Sequence, residues 1–174
     1  MHILIDGYNL IRQSVTFRPY ERLSLEAGRN ALIESLAAYR KRTGHRVTVI
    51  FDAWEGGFLT EERDRHGGIN ILYSRKGETA DDLIKRIVEQ RKEAFVVVTS
   101  DRAIADFAAR RDVAAISSPV FEFRLQLKES TRDSGDEGIP ADKDERSVFS
   151  TKKKGTSHRL SKKRKTTQSI FRKL

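Results

Sequence analysis

Ile3-Leu4-Ile5-Asp6-Gly7-Tyr8-Asn9-Leu10 opens the chain: a short apolar run, then an aspartate, a glycine, an aromatic residue and an asparagine. That is the pattern of a buried strand whose C-terminal end delivers polar groups into a crevice, with Gly7 letting the backbone turn away. Two later runs repeat it, Val47-Thr48-Val49-Ile50-Phe51-Asp52 and Phe95-Val96-Val97-Val98-Thr99-Ser100-Asp101. A fourth acidic spot, Asp81-Asp82, lies at an expected helix start.

Between these runs the hydrophobic period changes from strand to helix and back. Asn9 to Tyr20 is expected to be irregular or briefly helical. Ser24 suits a helix N-cap, Leu25, Gly28, Leu32, Leu36 and Tyr39 follow a 3.6-residue period, and Gly44 suits the C-cap. Strands are expected at Arg46–Phe51 and Ile69–Tyr73, with a long loop from Ala53 to Gly68 between them. Thr79-Ala80-Asp81-Asp82 opens a helix with Ala80, Leu83, Ile84, Ile87 and Val88 inward, ending near Lys92. Phe95–Val98 is β-branched without alternation, as in a strand buried on both faces. Asp101 starts a further helix with Ile104, Ala105, Ala108 and Ala109 inward. Val113–Ile116 is a fifth strand, and Ser118 an N-cap for a last helix with Pro119 at its first position and Phe121, Leu125 and Lys128 along it. Strands alternating with helices predict a three-layer α/β fold with a central, mainly parallel, five-stranded sheet.

The pattern stops after about Glu129. The chain divides into a domain at 1–129, an acidic-polar linker at 130–150 and a basic tail at 151–174; the last two read as disordered. The formal net charge is +9, yet the tail holds ten Lys/Arg and no Asp/Glu, which leaves 24 basic and 25 acidic side chains in the first 150 residues. The basicity belongs to the tail. The absence of cysteine excludes disulfides, thiolate zinc sites and a Cys nucleophile. The four histidines lack metal-ligand spacing. A strand beginning almost at Met1 leaves no room for a signal peptide. No apolar run approaches the roughly 20 residues of a membrane span, so no membrane partner and a cytoplasmic location are expected.

If the first strand is central, with Arg46–Phe51 on one side and Phe95–Val98 on the other, then Asp6, Asp52 and Asp101 emerge along one rim and Asp81 or Asp82 joins them. Clustered carboxylates repel one another unless a cation sits among them, and hard Mg²⁺ or Mn²⁺, one ion or two, takes oxygen ligands. Such a site can activate water and stabilise the leaving oxygen of a phosphodiester. Each acid also has a simpler reading. Asp101 alone is as readily a helix cap, Asp82 can close a capping box with Thr79, Asp52 can cap its loop, and Asn9 can fold back on the Asp6 turn. Asp81 is nearer the face that carries Ile84 and Val88 and ranks above Asp82 as a ligand.

Ile5-Asp6-Gly7-Tyr8-Asn9 resembles the signature of NYN domains, within the PIN-like nuclease superfamily. Phe51-Asp52-Ala53, Ser74-Arg75-Lys76-Gly77-Glu78-Thr79-Ala80-Asp81-Asp82 and Thr99-Ser100-Asp101 look like its YacP-like branch. The likeness covers roughly residues 1–128 and leaves the basic tail without an assigned role. It implies a Mg²⁺- or Mn²⁺-dependent RNA endonuclease that leaves a 5′-phosphate and a 3′-hydroxyl, with Asp6, Asp81 and Asp101 as metal-facing catalytic carboxylates. Asn9 would position Asp6 or the scissile phosphate, and Asp52 and Asp82 would be further metal or outer-shell ligands. It also implies that some members act on mRNA at the ribosome.

For RNA, Arg12, Arg18, Arg22, Arg75, Lys76 and Arg102 lie near the acidic motifs and can contact phosphates, while Tyr8, Trp54 and Phe58 can stack on unpaired bases. In the tail, Lys152, Lys153, Lys154, Lys162, Lys163, Arg164 and Lys165 supply salt-dependent affinity for any polyanion. The rival readings are a non-catalytic RNA- or ribosome-binding adaptor and, more weakly, a phosphatase or nucleotide switch. The last lacks a Walker-type run and an Asp-x-Asp pair, so no small-molecule cofactor is expected.

Overall fold

The structure, a computed structural model, describes residues 1–53, 60–90 and 93–127. Its order is β1 (His2–Asp6), α1 (Gly7–Gln13), α2 (Arg18–Leu23), α3 (Leu25–Thr43), β2 (Arg46–Phe51), β3 (Glu62–His66), β4 (Ile69–Tyr73), α4 (Ala80–Glu89), β5 (Phe95–Val98), α5 (Arg102–Ala109), β6 (Ala114–Ile116) and α6 (Ser118–Gln126). Trp54, Phe58, Lys92, Lys128 and the whole linker and tail lie outside the described residues.

The sheet runs β3-β4-β2-β1-β5-β6. β1 sits between β2 and β5 and pairs with both in parallel, Ile5 opposite Val49 on one side and Val98 on the other. A strand covered on both faces gains nothing from alternation, and Ile3, Leu4 and Ile5 are all within 1% of full burial. Two apolar cores result. Ile3, Ile5 and Phe51 pack with α1, α3 and α6; Leu4 and Ile50 pack with α4 and α5. This is the expected three-layer arrangement.

The sheet has six strands, not five. The segment 53–68, read above as a loop, contains β3, whose five residues are all exposed and include no apolar side chain. A charged edge strand discourages pairing with other chains and leaves no hydrophobic period to read. Gly67 and Gly68 both take positive φ, 55° and 80°, as the tight two-residue connection to antiparallel β4 requires. That Gly-Gly pair was the available signal.

The region 9–20 is more helical than expected, since α1 starts directly at Gly7. Ser24 does cap α3, accepting from Ala27 N–H at 2.9 Å, and Gly44 ends it at φ 71°. Leu25, placed on the inward stripe above, is instead 47% exposed. Ser118 is the first residue of α6 rather than its cap, and its hydroxyl is used elsewhere. α6 is fastened to the end of α1 by the buried Glu122, which accepts from Ser14 Oγ at 2.5 Å and from Gln126 Nε2 at 3.2 Å.

Gly7 matters for space, not for a turn. Its φ is not positive, but a Cβ there would lie 2.3 Å from Phe51 Cε1 and 2.9 Å from the Ile50 carbonyl oxygen. Phe51 is fully buried and has no room to retreat. Gly7→Ala is therefore expected to destabilise the protein by about 2–3 kcal/mol through overpacking, read as a lower urea midpoint with an unchanged slope. A wild-type midpoint would mean that β1 and β2 do not hold Phe51 against Gly7.

Candidate functional site

Parallel register brings the C-terminal ends of β1, β2 and β5 to one rim, and the strand order reverses at β1. Asp6 is the last residue of β1 and the N-cap of α1. Its Oδ1 accepts from the Asn9 backbone N–H at 3.1 Å and its Oδ2 from the Thr99 hydroxyl at 3.2 Å. The residue is only 5% exposed. Burial first, with the charges of Asp81 and Asp52, raises its carboxyl to about 6 against the opposing Asn9 and Thr99 bonds.

The other acids arrive from separate elements. Asp52 follows β2 and accepts from Ala80 N–H at 2.6 Å, which ties it to the first residue of α4. Asp101 follows β5 and caps α5, accepting from Ile104 N–H at 3.0 Å. Asp81, in the first turn of α4, accepts a hydrogen bond from no described residue. Its carboxyl is raised by burial first, then by Asp101, with Asp52 and Asp82 adding to the effect and Lys85 opposing it. Asp6, Asp52, Asp81 and Asp101 thus sense one another across four elements.

Asp82 is differently placed. Its Oδ2 accepts from both Thr79 N–H and Thr79 Oγ1, at 3.4 and 2.9 Å, and Thr79 Oγ1 accepts from Asp82 N–H. It closes the capping box, is exposed, and those bonds hold its carboxyl below the usual range. Its position suits an outer role more than a direct one.

The Asn9 side chain does not touch the Asp6 carboxylate, although Asn9 does fold back on the Asp6 turn. The Asx bond runs to its backbone N–H. Its Oδ1 instead accepts from Ser100 N–H and Ser118 Oγ, each at 2.8 Å. It ties the loop after β5 and the start of α6 to α1. Thr99 does the fixing, donating to Asp6 and accepting from Asp101 N–H at 3.0 Å. Its place in Thr99-Ser100-Asp101 was visible, but not its partner 93 residues away.

Among the described residues no three His, Asp or Glu side chains form a preformed ion cage. The donor set nevertheless suits a hard dication: it is all oxygen, Asp81 is free to turn, and Asp52 and Asp101 each keep one carboxylate oxygen clear of a protein hydrogen bond. Two carboxyls, Asp6 and Asp81, each raised by burial and by neighbouring acids, are the electrostatic state a cation would relieve.

The expected RNA contacts are unequal. Tyr8 is 7% exposed and packs edge-on to Phe51 with ring centroids 5.1 Å apart, so it is core rather than an open stacking platform. Arg12 pairs with Glu21 at 3.0 Å, Arg75 with Glu78 at 3.4 Å, and Arg102 lies 3.8 Å from Asp106. Arg18, Arg22 and Lys76 are exposed or partly exposed and make no ion pair with a described residue. The tail lysines and Arg164 lie outside the described residues. Arg29 of α3, unmarked in the sequence, donates to the Tyr8 hydroxyl at 3.0 Å.

Among the described residues no helix is long and apolar enough to cross a membrane. The family model for the YacP-like NYN domain matches residues 3–173, extending past the 1–128 that carry the motifs. A curated Bacillus subtilis (strain 168) relative, "Uncharacterized protein YacP", is 32% identical over 87 residues, which are 50% of this chain. The match spans about half, 51%, of that relative's length. Among solved structures, the crystal structure of Rae1 (YacP) from Bacillus subtilis is 26% identical with a TM-score of 0.59, over 72% of this chain and 74% of that one. A point mutant of the same protein, 24% identical with the same TM-score over the same shares, shows the same fold.

The Asp6 carboxyl, about 6 when folded and near 3.8 when not, makes the folded metal-free protein bind more protons between those values. Stability then falls as pH rises from about 4 through 6. His2, lowered to about 4 by burial first and by Arg46, contributes the opposite slope, losing stability as pH falls below 6.5. Comparing Asp6→Asn with wild type removes the titrating group; the amide oxygen still accepts from Asn9 N–H, and Nδ2 meets the Thr99 hydroxyl only with that bond reversed, Nδ2 donating to Oγ1. In EDTA the variant is expected to be more stable by about 1–3 kcal/mol at pH 7.5, with the gap closing near pH 4. Urea unfolding across that range checks it, and a less stable variant at pH 7.5 would contradict the assigned burial.

Proposed function

The chain belongs to the YacP-like NYN family, within the PIN-like nuclease superfamily, and on that premise we propose that it is a cytoplasmic endoribonuclease dependent on Mg²⁺ or Mn²⁺, hydrolysing RNA phosphodiester bonds to 5′-phosphate and 3′-hydroxyl ends. The observation that carries the reading is the convergence of Asp6, Asp52, Asp81 and Asp101 on one rim, with Asp6 nearly excluded from water.

When bound, the cation supplies an acidified water and charge neutralisation at the phosphate. The chain's own residues supply placement. Asp6 is held rigid between Asn9 N–H and Thr99 Oγ, so its direction is set before substrate arrives. Asp81, with no competing hydrogen bond from a described residue, can turn to meet a ligand. Asp52 and Asp101 each have one oxygen anchored to a helix start, which fixes the direction of the other. Asn9 joins α1, the loop after β5 and the start of α6 at the edge of the rim.

A nearly neutral domain needs additional cations to hold a polyanion, and the segment from Thr151 carries ten of them. We take messenger RNA at the ribosome, the setting the resemblance implies for some members, as the substrate setting. The second reading, an RNA- or ribosome-binding adaptor, is favoured by one observation, the lack of a preformed three-ligand cage among the described residues.

Cleavage of end-labelled single-stranded RNA in Mn²⁺ separates them. Asp6→Asn and Asp81→Asn are each expected to lower the rate by about 100-fold or more, since removing even an outer-shell partner typically costs 10–100-fold. Thr99→Val should fall within that smaller range. Activity surviving both Asp changes would sink the metal-site reading. No activity on free RNA, with cleavage restored on translating ribosomes, would keep the nuclease and make it ribosome-dependent; none on either substrate would leave the adaptor.

A further inference from the structure

A row of aromatic rings crosses the same rim on its other side. Tyr8 meets Phe51 edge-on, and Phe51 stacks on Tyr73 at 5.9 Å, its register partner on β4. Strand alternation separates this row from the acids. Ile5 and Phe51 face α3, whereas Leu4 and Ile50 face α4, so Asp6 and Asp52 fall on the α4 side. Tyr8 is two residues past Asp6 and Phe51 immediately precedes Asp52, which keeps row and acids at one height.

Arg29 sits over this row. It donates from Nη1 to the Tyr8 hydroxyl, and its guanidinium carbon lies 5.8 Å from the Tyr73 ring centre. It is half-buried and has no carboxylate of a described residue within ion-pair distance. Glu62 and Asp64 of β3 act on Tyr73 electrostatically but stay beyond that distance from Arg29. Arg12, over the opposite part of Tyr8 at 5.2 Å, is by contrast neutralised by Glu21. One of the five Arg29 N–H donors is used; the others have no acceptor among the described residues. A guanidinium whose rotamer is already set by a hydroxyl and a ring, with its charge unmatched, is built to receive two oxygens of one anion.

We propose that Arg29, oriented by Tyr8 and Tyr73, is a subsite for a backbone phosphate flanking the one cleaved, so that a single RNA strand crosses the rim from the α3 side to the acids. The choice of RNA as the anion rests on the nuclease reading above. Phosphate contact fixes the register of the strand without reading its sequence.

Binding of a short single-stranded RNA to the full chain, followed by fluorescence anisotropy in EDTA over a salt series, tests this apart from cleavage. Arg29→Gln should weaken binding about tenfold or more at low salt, as loss of a charged hydrogen-bonded contact does. The slope of log affinity on log salt should become shallower by about 0.7, one phosphate contact to a single strand. Arg29→Lys should restore the slope but not the full affinity. In turnover, Arg29→Gln should raise KM with kcat little changed. A wild-type salt slope in Arg29→Gln, whether or not its stability drops, would reduce Arg29 to a lock on Tyr8 and overturn the subsite. A shallower slope without cleavage in Mn²⁺ of either free RNA or RNA on translating ribosomes would keep the subsite and remove the nuclease. An unchanged slope with cleavage lost in Asp6→Asn would do the reverse.

Discussion

A carboxylate nearly excluded from water, and still held by two donors, is the constraint on which the rim depends. Asp6 costs free energy where it is, because burial and two neighbouring acids disfavour its charge. The Thr99 hydroxyl and the Asn9 N–H offset part of that and set its direction. Thr99 in turn accepts from Asp101 N–H, so the loop after β5 is shaped by the same hydroxyl that holds Asp6. A central parallel strand is the only place where such an acid can be flanked by two more strand ends at once.

The rim is chemically two-sided as a consequence of strand alternation. Successive residues at the ends of β1 and β2 point to opposite faces, which sends acids toward α4 and aromatic rings toward α3. The acidic side gathers negative charge that resists being buried. On the aromatic side Arg29 makes no ion pair with a described residue. A phosphate chain laid across the rim would meet positive charge first and carboxylates afterwards, the order in which a polyanion can be held and then acted on.

Much of the fold was legible because its signals are local. β2, β4 and β5 were delimited by their β-branched runs, and α3 by Ser24 and Gly44, which cap it as their chemistry dictates. β3 was not legible, because an edge strand of charged residues has no hydrophobic period, and only Gly67-Gly68 marked it. Leu25 read as core by spacing alone, though it lies at the exposed start of α3. In the site, the acids could be selected by type and place at strand ends, whereas the side-chain roles of Asn9, Thr99, Ser118 and Arg29 could not.

The sequence by itself determined the alternating α/β plan, the family and the set of acids at the strand ends, since each depends on residue type and short-range spacing. Tertiary structure decided which acids are confined and which are spent. Asp6 is buried and bonded to Thr99, and Asp52 is tied to the start of α4, whereas the capping box of Asp82 is local and was readable. It also decided that Gly7 makes room for Phe51, that Asn9 binds Ser100 and Ser118, and that Arg29 meets Tyr8. The reason is that burial, hydrogen bonding and charge pairing depend on partners 21 to 109 residues away, and no periodicity in the chain records them.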